Sequence, residues 1–159
     1  IRRYFEKTAT MTETLRTISA TLGWNFNYGR SDFHNLTQAA SENDLTYFLF
    51  VDPITSDTGF NSEGDHLGYV EHSGKMMLLV KSDLADVYDG QLGNDVNDGK
   101  WTKHIKPIKY PGGQLESFIN ELKCLGNFSF TRWSVQEVVN YLDDNMDGVI
   151  INYRIRETI

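Results

Sequence analysis

The sequence predicts an α/β (α+β) fold, a mostly antiparallel or mixed β-sheet with about three amphipathic helices packed on it. Three observations lead there. Thr10-Met-Thr-Glu13 has the form of a capping box, and Met11, Leu15, Ile18 and Leu22 follow it at helical spacing. TYFLFVDPI, Thr46 to Ile54, is too short and too aromatic for a surface helix and reads as a buried strand ended by Asp52-Pro53. VIINYRIRETI at the C-terminus is rich in β-branched residues and alternates Val149, Ile151, Tyr153 and Ile155 against Ile150, Asn152, Arg154 and Arg156.

The remaining elements follow in order. Gly23 stands where the first helix should be capped, and Trp24 to Tyr28 is extended. Gly68 to Val80 reads as a hairpin, LGYVEH and KMMLLVK meeting at His72-Ser73-Gly74-Lys75. Asp83 to Gly113 is a long glycine-rich loop, and loops of ~30 residues in a compact domain are usually functional or mobile. Leu115 to Leu125 forms a second amphipathic helix closed by Gly126. Asn127 to Thr131 alternates as a strand. Ser134-Val-Gln-Glu137 has the form of a second capping box, with Trp133 and Val138 as its hydrophobic staple, and predicts a third helix to about Leu142.

With 159 residues the chain fits a single domain, 1–159, able to bury a substantial core. The net charge of −7, with no Lys/Arg run longer than two, argues against specific nucleic-acid binding. The longest apolar runs span about five residues, far from the ~20 of a membrane span. No signal peptide is visible, although the chain starts at Ile1, where a trimmed N-terminus would hide one. The single cysteine, Cys124, lies within an apolar helical pattern and reads as a buried small residue. The expectation is a soluble protein of a reducing compartment.

Asp143 to Ile150, DDNMDGVI, invites a calcium reading. Asp143, Asn145, Asp147 and Gly148 fill positions 1, 3, 5 and 6 of an EF-hand loop, but position 12 needs a bidentate carboxylate and carries Arg154. Starting at Asp144 puts Ile155 there instead, and a strand follows where a helix is required. The run is expected to be a helix-to-strand turn, and Asp95 to Gly99 a loop turn. His34, His66, His72 and His104 lack metal-site spacing, with His72 beside the hairpin turn. There is no Walker loop, GxSxG or GxGxxG, and no carboxylate pair stands out among 22 acidic residues. No catalytic residue, metal ligand or cofactor is predicted, and the chain is not expected to be an enzyme.

The element order, with an early helix in TLRTISATL, a Tyr28-Gly29 turn, FLFVDP and the ending LDDNMDGVIINYRIRE, resembles the tail-terminator or tail-completion proteins of tailed bacteriophages. The resemblance spans most of the chain as an arrangement, with short motifs. Asp83–Gly113 and Thr55 to Asp65, read as loops, are where the chain departs from it. The resemblance implies a structural virion protein, assembled in the cytoplasm of a bacterial host. It implies a homo-oligomeric ring of six subunits (twelve for related neck adaptors) at the head–tail junction or tail end. Its partners would be other neck, connector and tail proteins, with DNA passing through the ring unbound by specific contacts and no membrane involved. The acidic charge suits a channel that does not hold DNA, and equally serves solubility alone. Tyr88, Leu92, Trp101 and Ile105 are candidate interface residues, because aromatic residues in such loops supply contact area; the other reading folds Trp101 onto its own core. The alternative function is a non-catalytic calcium-responsive or protein-binding module using the Asp143–Gly148 loop.

Overall fold

The structure, a computed structural model, describes residues 10–29, 46–82, 99–141 and 146–159. It is a mixed α+β fold. The strands are β1 (Asn25–Tyr28), β2 (Tyr47–Val51), β3 (Thr55–Phe60), β4 (His66–Lys81), β5 (Phe128–Tyr141) and β6 (Met146–Thr158). They form one sheet in the order β1-β2-β4-β6-β5, with β3 paired to β4 beside β2. Only the β1–β2 pair is parallel. The helices are α1 (Met11–Thr21), a short α2 (Lys106–Lys109) entered through a π-helical turn at Trp101–Ile105, and α3 (Gln114–Cys124). No helix among the described residues is long and apolar enough to cross a membrane.

Local signals account for the two long helices. In α1 the Glu13 amide donates to Thr10 Oγ1 and the Thr10 amide donates back to Glu13 Oε2, which satisfies donors the first turn leaves orphaned. Gly23 beyond its end takes φ 76°, a left-handed conformation that glycine adopts without Cβ strain. Met11, Leu15 and Ile18 of α1 and Leu115, Phe118 and Leu122 of α3 bury against Leu49, Val51, Met76, Leu78, Val149 and Ile151 of the sheet. Phe118 stacks between Trp24 and Trp133, with ring centroids 5.8 and 6.1 Å away.

Several expectations are corrected. Among the described residues two long helices are present where three were expected, because residues 134–141 continue β5 instead of starting a helix. The capping-box pattern is a four-residue signal, whereas Trp133 and Val135 pair with Tyr153 and Ile151 along β6. Cross-strand packing of aromatic and β-branched side chains outweighs a local cap. The expected hairpin at Ser73-Gly74 is absent too: β4 runs straight through it for 16 residues. A Cβ on Gly74 would lie 3.2 Å from the hydroxyl of Tyr153, so this glycine makes room for a ring across the ladder.

The hairpin is instead β3–β4, with its turn in the segment Thr55–Asp65 that reads as a loop. The Asn61 side-chain oxygen accepts the Glu63 and Asp65 amides, and Gly64 takes φ 86°. Residues 101–109, expected to be loop, are helical, while 83–98 lie outside the described residues. Cys124 is exposed and not buried, since it falls off the helical stripe defined by Leu115, Phe118 and Leu122. The C-terminal strand does lie inside the sheet, between β4 and β5, with Val149, Ile151, Tyr153 and Ile155 buried on one face.

Candidate functional site

β4 is longer than the strands beside it, and this length divides the sheet into two ends. Met76–Val80 pair with β2, whereas residues 66–73 pair with β3. Both stretches share β6 on the other side, and β6 pairs onward with β5. The second end is therefore a four-stranded sheet, β3-β4-β6-β5, antiparallel throughout. Among the described residues its two outer strands pair on one side only, which leaves the outer backbone groups of β3 and β5 available.

The register places charge unevenly across one face of this open end. Asp57 of β3 stands directly across from Glu71 of β4, and Glu71 across from Arg156 of β6. Two residues along, Arg154 stands directly across from Arg132 of β5. Glu71 serves two arginines at once: Arg154 Nε is 3.4 Å from Oε1, and Arg156 Nη2 donates to Oε2 at 3.3 Å. Arg156 also lies over the ring of Tyr69, 4.1 Å from its centroid. Arg132 has no ion pair among the described residues and faces a like charge, an arrangement that costs stability within a sheet. The face therefore runs from acidic at the β3 edge to cationic at the β5 edge.

The other face of the same end carries Ser56, His72 and Glu157. Ser56 Oγ is 2.7 Å from His72 Nδ1, and His72 Nε2 is 2.7 Å from Glu157 Oε2. With Glu157 ionised, Nε2 carries the hydrogen and donates it. In neutral histidine Nδ1 then accepts from the Ser56 hydroxyl. Far from sitting exposed beside a turn, His72 is buried, with both nitrogens engaged by neighbouring strands. The trio borders a cavity of about 360 Å³ shared with Thr10 and Thr12 at the start of α1. A serine, a base and a carboxylate in this sequence of contacts match the spacing used for nucleophilic catalysis. The same contacts tie β3 to β4 and β6, which fixes the outer strand in place.

The opposite end of the sheet holds a second histidine–carboxylate cluster. Asp147 is fully buried (0% exposed) in β6, where the sequence suggests a turn. Its Oδ2 lies 2.7 Å from His104 Nδ1 and 3.8 Å from the ammonium of Lys100, itself buried and donating to Ser82 Oγ at 2.5 Å. A cation and an imidazole thus already occupy the Asp147 carboxylate at the residue that would fill position 5 of a calcium loop; Asp143, Asp144 and Asn145 lie outside the described residues. Gly148 beside it is required by close approach, since a Cβ there would meet the Leu78 carbonyl oxygen at 2.1 Å. This cluster fastens the Lys100–Ile105 segment to β6.

Trp101, on that segment, is 45% exposed, and its indole Nε1 donates to Glu137 Oε1 at 2.5 Å. It does not fold into its own core. Ile105 does, at 2% exposed, so of the four interface candidates it is a core residue, while Tyr88 and Leu92 lie outside the described residues. Near the β5 edge, Ile119, Phe128, Phe130 and Trp133 line an apolar groove of about 500 Å³ with Lys123 at its margin.

Tyr153 sits at the junction of the two ends. Burial, then the Asp52 carboxylate and Tyr28, push its phenol well above the usual tyrosine range, and its hydroxyl has no hydrogen-bond partner among the described residues. Burial raises Tyr47 as well.

No protein-family model matches the chain, and no curated protein matches it significantly. Neither the charge gradient nor the Ser56–His72–Glu157 trio is visible as a motif, because each joins residues on three or four different strands. A partial signal is present: an arginine pair at alternate positions in an otherwise acidic chain, Arg154 and Arg156, puts two cations on one face of a strand.

Proposed function

We propose that the chain is a structural virion protein, a tail-terminator or neck protein that closes into a ring at the head–tail junction or tail end of a tailed bacteriophage. The sequence resemblance supports the phage part of this reading. The ring part is carried by one observation: the open end of the sheet has two different outer strands, with Asp57 on β3 and Arg132 on β5 as their charged residues there. Dissimilar complementary edges favour head-to-tail association, which yields a ring when the rotation closes. In this reading no cofactor and no active site are needed, the partners are neck, connector and tail proteins, and DNA threads the ring without specific contacts. Trp101 adds an exposed aromatic side chain held in position by Glu137.

Light scattering with electron microscopy tests the ring. The expected result is a closed assembly of six or twelve copies, and a species of 18.2 kDa at every concentration would overturn it. Trp101→Ala is expected to weaken assembly by on the order of 2 kcal/mol, with the thermal midpoint of the subunit nearly unchanged.

A second reading is favoured by the Ser56–His72–Glu157 contacts, which fit a hydrolytic serine. A fluorophosphonate probe separates the two. The ring reading expects no labelling, and labelling abolished by Ser56→Ala would establish the hydrolase.

A further inference from the structure

We propose that copies of this chain join by antiparallel pairing of β5 of one copy with β3 of the next, Arg132 of the first facing Asp57 of the second; this rests on the ring reading above. Strand direction permits it. In β3-β4-β6-β5 every neighbour is antiparallel, so β3 and β5 run in opposite directions. A second copy placed beside the first in the same orientation therefore brings its β3 antiparallel to the first copy's β5, and the sheet continues across the junction without a break in its hydrogen-bonding pattern.

Charge selects the same partner. Within one copy Arg132 faces Arg154 and Asp57 faces Glu71, so each outer strand ends in a like-charge pair. Each pair is relieved by an opposite charge arriving from outside, and the outer strand of the next copy supplies it. Asp57 and Arg132 project from the same face of the sheet, as the register through Glu71, Arg156 and Arg154 requires, so continuation of the sheet keeps them on one side. Both side chains are on exposed residues and neither forms an ion pair within the described residues. The Ser56–His72–Glu157 contacts hold β3 to its own sheet, so the edge is in place before a partner arrives. That lowers the ordering cost of strand addition.

The test is charge reversal across the junction, read by light scattering over a concentration series. Arg132→Glu and Asp57→Lys are each expected to raise the concentration at half-assembly at least tenfold, with the thermal midpoint of the dissociated protein unchanged. The double variant, which restores opposite charges with signs exchanged, is expected to recover most of the loss. A covalent readout supports it: with Cys124→Ser as background, Asp57→Cys combined with Arg132→Cys should give an oxidation ladder of linked copies, and either cysteine alone should stop at dimers. If the wild type forms rings but reversal has no effect and no ladder appears, the β3–β5 junction is wrong and the ring reading stands. If reversal weakens assembly but the double variant does not recover, the two residues face other partners and the proposed pairing is overturned. If the wild type is monomeric throughout, the ring reading and the junction fall together.

Discussion

Two halves of β4 show how one strand serves two purposes. Met76–Val80 is an unbroken apolar run, buried on both faces, with β2 and β6 beside it and helices above. His66–Lys75 is polar and partly exposed, covered on one face only near its middle, and flanked by β3 in place of β2. Each end of the sheet has a histidine–carboxylate contact of the same length, 2.7 Å. At the closed end Asp147 and its lysine are inaccessible to water, whereas at the open end His72 and Glu157 retain some exposure beside a cavity. The difference is one of energetic weight. The closed end holds the larger share of the buried apolar contacts, whereas the open end is polar and partly exposed.

Substitutions at the closed end should break the fold. Asp147→Ala removes the carboxylate that faces a buried lysine and a histidine, and loss of one partner of a buried pair typically costs about 3–5 kcal/mol. Urea denaturation measures it, and a change within ~0.5 kcal/mol would remove the closed end from its role. Gly148→Ala forces β4 and β6 apart at Leu78 and is expected to cost about 3 kcal/mol by the same assay.

Smaller effects belong to the open end. Glu157→Gln keeps the shape but weakens a charge-assisted contact, with an expected loss of about 1 kcal/mol. Its signature should be local: faster amide exchange in β3 with that of Met76–Val80 unchanged. Uniform acceleration would show the two halves to be one cooperative unit.

Tyr153→Phe has the smallest expected effect at neutral pH, within about 1 kcal/mol of the wild type and on the stabilising side, since it removes a buried hydroxyl without a partner among the described residues. Its effect grows in alkali. The phenol of the folded state is held above the unfolded value of 10.0, so above that pH the unfolded chain loses the proton first and the native state binds more protons. Stability is then expected to fall as pH rises from about 10 toward the raised value, and Tyr153→Phe should flatten part of that decline. An unchanged slope in the variant would assign the decline to Tyr47 or other groups.

The parts legible in the sequence are those set by neighbours along the chain. The Thr10–Glu13 cap, the apolar stripes of α1 and α3, and the buried face of Val149–Ile155 are all periodic or local. The same locality misled at Ser134–Glu137 and Ser73-Gly74, where a cap-like and a turn-like pattern were overridden by pairing with β6. His72 meets Ser56 across 16 positions and Glu157 across 85, and His104 meets Asp147 across 43. Such contacts exist only once strand register is fixed, which the order of residues within any one segment does not encode.

In the ring reading, copies join by strand pairing at the open end of the sheet, with Trp101 as an added side-chain contact beside β5. Amide hydrogen exchange on the intact protein at low and high concentration tests it most directly. Thr55–Phe60 and Phe128–Ser134 are expected to gain protection as concentration rises, with Met76–Val80 and Val149–Ile151 already protected and unchanged. Protection gained elsewhere, with β3 and β5 exchanging at the same rate in assembled and dissociated protein, would contradict it.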